Sequence, residues 1–219
     1  MTNPNILEEL AVKGADVGSL AERLIAKSAQ IPQLVDALQS EKSAKKFSYE
    51  KILRFVSEKR PDLIYPYFDF FAGLLDSENN FLKWGAIMTV ANLAAADAEK
   101  KFDSIFRKYF DPISGPTMIT AANIIGSSVA IAQAKPALAN AIAEEILKVE
   151  KAKYKLEGVL SPECRNVAIG HAIDSLDKLY GRIENKSKVA AFIKRQLKNT
   201  RNPVVRKAEH FMRKHVVNS

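Results

Sequence analysis

The sequence has little of what disulfide-linked, cysteine-rich or turn-rich proteins use. Its 219 residues include one cysteine, Cys164, which excludes an internal disulfide and a cysteine-rich metal cluster. Nine glycines and nine prolines are too few for a many-turned β-sandwich. We also find no charged-then-apolar leader at the start of the chain. We therefore expect a cytoplasmic protein, and the composition gives no reason to predict a cofactor.

Catalytic motifs are missing as well. We find no glycine-rich phosphate loop, no G-x-S-x-G elbow and no His-Glu-x-x-His pair. His210 and His215 are separated by about 140° around a helix, which is a poor arrangement for two ligands of one metal. His171 and Asp174 are the best acid–base candidates, but they also fit an ordinary pair on a helix surface. We predict no catalytic residue and no metal site, which favours a non-enzymatic protein.

Apolar residues, by contrast, recur at helical spacing almost throughout, and we identify no convincing strand. Pro66 interrupts the apolar run Leu63–Leu75 and should kink or restart that helix. The uncharged stretch Thr117–Ala134 is rich in small residues, so we expect a buried helix and no membrane segment. The predicted helices cover residues 6–12, 18–28, 31–39, 44–58, 61–75, 79–96, 98–110, 116–134, 136–150, 162–181, 186–198 and 203–216.

The helical pattern repeats along the chain. Segments 74–94, 109–129 and 196–216 each place an apolar residue at the end of one helix, then a polar turn, then alanine eleven residues on. The repeat period is 35 to 37 residues until the last interval, which is 50 residues long. The surplus coincides with the polar stretch 151–163, which we interpret as a long loop or an extra helical turn. The pairs are Leu75/Ala86, Phe110/Ala121 and Leu197/Ala208.

This layout resembles the HEAT-repeat family. The best match is Leu74-Leu75-Asp76 followed by Leu82-Lys83-Trp84-Gly85-Ala86. The resemblance implies an all-α fold, a right-handed α-α superhelix (solenoid) of about five stacked helical pairs. Residues 1–30 would be N-terminal capping helices and residues 31–219 the HEAT-like repeat array, with an insertion near 151–163 and a basic C-terminal repeat at 185–219.

The resemblance also implies a concave face, lined by the second helix of each pair, that binds a partner. Five side chains on these helices are candidates for that contact. For the asparagines, hydrogen bonding within the stack is the alternative, and for the tryptophan it is packing between repeats. The candidates are Lys83, Trp84, Asn92, Asn123 and Asn166.

Positive charge is concentrated at one end. The whole chain carries a formal charge of +8, but residues 185–219 hold ten lysines and arginines against one acid, Glu209. The alternatives for this end are a polar cap, which a terminal repeat needs for solubility, and an anion-binding surface. The candidate anion or nucleic-acid contacts are Lys194, Arg195, Lys198, Arg201, Arg206, Lys207, Arg213 and Lys214.

Three functional hypotheses follow. The first is a non-enzymatic scaffold that binds a protein partner through its concave face. The second is nucleic-acid binding through the basic C-terminal repeat. The third comes from a further resemblance, to the alkylpurine DNA glycosylases, which are also built on HEAT-like repeats; here Met88 stands four residues after Trp84, where the acid of those enzymes would match. The oligomeric state is left open.

Overall fold

The computed structural model describes residues 16–215 of the chain. The chain divides into two compact units, with the boundary between Ser104 and Ile105. The predicted helix at residues 6–12 lies outside the described residues. The predicted boundaries of the cap and the array stay predictions.

Unit 1, up to Ser104, is a set of packed helices. The helices are α1 (Val17–Ala26), α2 (Ile31–Ser40), α3 (Lys45–Lys59), α4 (Pro61–Ile64), α5 (Phe68–Leu74) and α6 (Asn80–Leu93), followed by α7 (Lys101–Phe110), which contains the boundary. Helix α3 lies at the centre of unit 1, because α1, α2, α4 and α6 all pack against it, while α5 packs on α6. Short 3-10 turns at Ser28–Gln30, Tyr65–Tyr67 and Ala94–Ala96 join several of these helices.

Unit 2, from Ile105, is also a set of packed helices. The helices are α8 (Met118–Ala134), α9 (Ala139–Leu147), α10 (Pro162–Leu179), α11 (Lys186–Gln196) and α12 (Asn202–His215); 3-10 turns cover Asp111–Ser114, Pro136–Leu138, Lys148–Lys151 and Tyr180–Arg182. Helix α10 lies between α8 and α12, α9 packs on α8 and α10, and α11 packs on α12.

Capping side chains and prolines set the helix starts. The Asn79 carboxamide accepts hydrogen bonds from the backbone N–H groups of Phe81 and Leu82, which begins α6. The Ser161 hydroxyl caps α10 in the same way, and Pro162 occupies its first turn. The predicted effect of Pro66 is confirmed: α4 ends at Ile64 and the helix restarts two residues after the proline.

The uncharged helix is a core element, as predicted. On α8, Ile124, Ile125 and Ile131 are fully buried, and the Ser175 hydroxyl of α10 donates to the Ile125 carbonyl oxygen at 2.9 Å. Neither α8 nor any other helix of the described residues has the length and apolar content needed to cross a membrane.

The insertion is where the structure differs from the sequence prediction. Within 151–163 the chain forms a small antiparallel hairpin of β1 (Lys155–Leu156) and β2 (Val159–Leu160). The expectation of no strand, and of a loop or extra helical turn here, was wrong. Glu157 and Gly158 both have positive φ, which is typical of a two-residue type I′ turn, and this turn chemistry overrides the surrounding helical pattern.

Candidate functional site

An exposed aromatic cluster on unit 1 surrounds the start of α6. The Phe81 side chain is 66% exposed. Its ring lies edge-on to Trp84, with centroids 5.7 Å apart, and 5.5 Å from the Phe47 ring of α3. The Lys46 ammonium is 5.6 Å from the Phe47 ring. We call Phe47, Phe81 and Trp84 the α6 surface.

Helix geometry explains how this surface forms. Capping by Asn79 places Phe81 in the first turn of α6, and Trp84 follows three residues later on the same side. Lys83 and Trp84, both predicted contacts, are half-buried. Trp84 lies beside Phe81, whereas Lys83 is about 200° around the helix from Phe81, so the structure does not bring it to this cluster. Sequence reasoning missed Phe47 and Phe81; the Phe81–Trp84 spacing was a signal, although core aromatics show the same spacing.

A buried carboxyl group lies between α3 and α6. Glu50 of α3 is 7% exposed and its Oε1 accepts a hydrogen bond from Arg54 Nε at 3.3 Å. Burial raises the pKa of Glu50 to about 7, although Arg54 opposes the shift. The carboxyl group lies against Gly85 of α6: a Cβ added there would lie 2.0 Å from Glu50 Oε1. The glycine therefore lets α3 and α6 approach closely.

The three predicted asparagines all make internal hydrogen bonds. Asn92 Nδ2 donates to Ser57 Oγ of α3 at 3.0 Å, and Asn123 Nδ2 donates to the Ile119 carbonyl oxygen of its own helix at 2.9 Å. Asn166 of α10 donates from its Nδ2 to Thr200 Oγ1, in the turn before α12, at 3.0 Å. Each is half-buried, so part of each side chain still faces solvent.

In unit 2, the basic repeat is ion-paired with the acids of the preceding elements. Arg195 binds Glu150 through two hydrogen bonds of 2.7 Å, and Gln196 Nε2 donates to the same carboxylate. Four of the eight predicted anion contacts are paired in this way. The pairs are Arg195–Glu150, Arg201–Glu163, Lys207–Asp174 and Lys214–Asp177.

The other four predicted contacts are exposed cations with no ion pair among the described residues. Lys194 lies on α11, and Lys198 follows that helix. Arg206 and Arg213 lie seven residues apart on α12, which places them on one side of the helix. The predicted set therefore divides into four cations that are paired with acids of the preceding elements and four cations that are free of ion pairs in the described part of the chain.

The cleft between α10 and α12 is lined by carboxylates that are bonded to cations of α12. It measures about 210 Å³ and is lined by the side chains named at the end of this paragraph. Asp174 binds Lys207, while Asp177 accepts hydrogen bonds from Lys214 and His215. Both carboxylates of the cleft therefore connect α10 to α12. The described residues contain no group of three or more metal-ligating side chains. The lining residues are Ile173, Asp174, Asp177, Arg206, Lys207, His210 and Phe211.

Comparison with solved structures identifies the fold. A chain of the Pds5–Scc1 complex, which bears on cohesin function, matches 87% of this chain with a TM-score of 0.58 and 12% identity. A designed armadillo repeat protein in complex with the peptide (KR)4 matches 97% of this chain and 99% of its own length, with a TM-score of 0.55 and 13% identity. This chain has the HEAT/armadillo-type helical-repeat fold. The predicted resemblance is confirmed at the level of fold.

The same comparisons limit what can be carried over. This chain spans 30% of the length of the matched chain in the Pds5–Scc1 complex. No protein-family model and no curated protein matches the sequence. A shared fold does not determine function, so the surface residues of this chain are what a partner would recognise.

Proposed function

We propose that this protein is a helical-repeat scaffold that binds a protein partner through the α6 surface. The observation that carries the proposal is the exposed Phe81 ring, stacked edge-on against the half-buried Trp84 ring. Aromatic side chains held rigidly at a surface are typical centres of protein interfaces, because they bury a large area and lose little conformational entropy.

The surroundings of the pair support the same conclusion. Phe47 extends the apolar area, and Lys46 borders it, which adds a cation at the edge of the apolar centre. Both named structural neighbours were solved in complexes, one of Pds5 with Scc1 and one with a peptide. Those partners belong to those proteins; here they show only that this fold accommodates such ligands.

The test compares partners captured by variants of the full chain. A photo-crosslinking amino acid at position 46, beside Phe47, should capture a partner, and Phe81→Asp should abolish that capture because it places a charge in the apolar centre. Leu197→Asp is the matched control, since Leu197 is 37% exposed at the other end of the chain. Identical partners for wild type and Phe81→Asp, with circular dichroism showing both folded, would contradict the proposal.

A second candidate function is nucleic-acid binding through the four free cations of the basic repeat. It is supported by their exposure and by their lack of internal ion pairs in the described part of the chain. Phosphate contacts of this kind bind without sequence preference and weaken steeply with salt.

A mobility shift with duplex DNA at 50 and 200 mM salt tests this second function. Changing Arg206 and Arg213 to Glu should remove binding. Changing the paired Arg195 to Gln is the control, and it should have less effect on binding because that guanidinium already holds Glu150. Absence of any shift at 50 mM salt would rule this function out.

A further inference from the structure

The hairpin of unit 2 concentrates exposed aliphatic side chains. Leu156, Val159 and Leu160 are 61%, 71% and 59% exposed. Elsewhere, the described part of the chain exposes only Phe81, Ile119 and Leu197 among its large apolar side chains. Single exposed apolar residues are ordinary, whereas three within five residues mark a contact surface.

The hairpin is fixed at its base. The backbone N–H groups of Lys153 and Lys155 donate to the carbonyl oxygens of Ser114 and Pro116, at 3.2 and 2.9 Å. The buried Tyr154 hydroxyl donates to the Ile113 carbonyl oxygen at 2.5 Å. The outer edge of β1 is therefore already paired, and the hairpin is held in one orientation.

The outer edge of β2 is open. Leu156 faces Val159 across the type I′ turn and Lys155 faces Leu160, while Ser161 N–H donates to the Tyr154 carbonyl oxygen at 2.9 Å. Hydrogen bonds alternate along an antiparallel pair, so the backbone N–H and C=O of Leu160 point away from β1. An extended peptide can pair with such an edge.

The charge around this edge is positive. Lys151, Lys153 and Lys155 are exposed and Arg165 is half-buried, and none of the four has an ion pair among the described residues. The nearby acids Glu150 and Glu163 are engaged by Arg195 and Arg201, which leaves Glu157 at the tip of the turn.

A cleft of about 210 Å³ adjoins the open edge. Its apolar part can receive one aliphatic side chain, and its two cations can receive carboxylates. The lining residues are Ala152, Lys153, Tyr154, Leu160, Ser161, Pro162 and Arg165.

We propose that this hairpin surface binds an extended, acidic and aliphatic segment of a protein partner, which adds as a strand to β2. The partner backbone pairs with Leu160, one aliphatic side chain enters the cleft, and acidic side chains face Lys153 and Arg165. This site is separate from the α6 surface and does not depend on it.

Selection from a phage-displayed library of random octapeptides on the immobilised full chain tests the proposal. Peptides that alternate acidic and aliphatic residues should be enriched. Binding of the most enriched peptide, synthesised with a fluorescent label, is then measured by polarisation. Leu160→Pro removes the outward N–H and the aliphatic side chain, so we expect about a tenfold or greater loss of affinity.

Further variants keep the test decisive. Lys153→Glu and Arg165→Glu together should abolish binding without altering the β1–β2 hydrogen bonds, which covers the case in which Leu160→Pro fails to fold. Lys194→Glu, a free cation elsewhere in unit 2, should leave affinity unchanged. Phe81→Asp should also leave it unchanged, which separates this site from the α6 surface.

Several results would overturn the proposal. The selection could enrich no acidic peptide, or the wild type and the Lys153→Glu, Arg165→Glu double variant could bind the peptide equally well. The chain could also dimerise in a concentration-dependent way that Leu160→Pro abolishes, and a second copy of the chain would then be the occupant of the hairpin surface. Sedimentation with phosphatidylserine vesicles that Val159→Asp abolishes would instead assign the hairpin to a lipid surface.

Discussion

Gly85 decides how closely α3 approaches α6. Any side chain at this position meets the Glu50 side chain, whose carboxyl carbon Cδ would lie 2.1 Å and whose Cγ 2.8 Å from the added Cβ. We predict that Gly85→Ala lowers the free energy of unfolding by about 1–3 kcal/mol, because Glu50 must leave its buried site. Urea denaturation measures the change.

Gly126 provides the matched control for this prediction. It also lies within a helix, but an added Cβ would meet nothing within 4 Å. Gly126→Ala should therefore be neutral or stabilising, by up to about 1 kcal/mol. Adding Glu50→Ala to the Gly85→Ala variant should recover part of the loss; a double variant no more stable than the sum of the two single changes predicts would contradict this account.

The raised pKa of Glu50 makes stability depend on pH. Its pKa is about 7 in the folded protein against an ordinary value of 4.5, so the folded state binds the proton more tightly. The stabilising contribution of this group is complete below about pH 4.5, falls as pH rises, and is lost above about pH 7. Relative to Glu50→Gln, the wild type should therefore lose up to roughly 3 kcal/mol between pH 4.5 and 8.

Urea denaturation of both proteins at pH 5, 6, 7 and 8 checks the dependence. The difference in unfolding free energy between Glu50→Gln and wild type should grow across this range. Curves that stay parallel would show that the Glu50 carboxyl group does not titrate between pH 5 and 8.

The helices of the basic repeat are positioned by ion pairs as well as by apolar packing. Arg195 is the clearest case, since its guanidinium makes two hydrogen bonds with Glu150, 45 residues earlier. We predict that Arg195→Ala lowers the free energy of unfolding by about 0.5–1 kcal/mol at low salt, because the pair is partly exposed. Lys194→Ala, one residue away with no such pair, should change it by less than about 0.5 kcal/mol.

Repeating both measurements in 1 M sodium chloride isolates the electrostatic part. The Arg195→Ala effect should shrink, since salt screens partly exposed charges. An exchanged pair, Arg195→Glu with Glu150→Arg, should restore part of the loss. Equal effects of the two alanine changes at low salt would show that the Glu150 pair adds nothing.

The helices could be predicted from sequence, whereas the hairpin and the ion pairs could not. Helical periodicity and caps such as Asn79 are local signals, and the predicted starts of α6 and α10 lie within a residue of those observed. The strands of the hairpin are two residues long and are held by bonds to Ser114 and Pro116, nearly 40 residues away. The pairs in the basic repeat depend on the register between helices, which a count of charges does not contain.

At the scale of the whole molecule, the net charge of +8 is not a uniform property. Acids of α10 and of the segment that precedes it take up half of the cations predicted to bind anions, and all of these pairs lie within unit 2. The free cations that we assign to binding in unit 2 lie in two places, on the basic repeat and around the hairpin. Positive charge therefore contributes both to the packing of unit 2 and to the surfaces proposed for binding.

The division into two units predicts that unit 2 folds alone. In helical-repeat proteins each repeat contacts mainly its neighbours, so part of an array can fold independently. A fragment of residues 97–219 keeps Asp97, whose carboxylate caps α7 by accepting hydrogen bonds from the N–H groups of Lys101 and Phe102 at 2.8 and 3.0 Å. We expect a helical circular dichroism spectrum and one cooperative thermal transition. A fragment of residues 139–219 lacks α8, on which α10 packs, and should unfold without a sharp transition. A 97–219 fragment that melts as gradually as this control would show that unit 2 needs residues of unit 1 to fold.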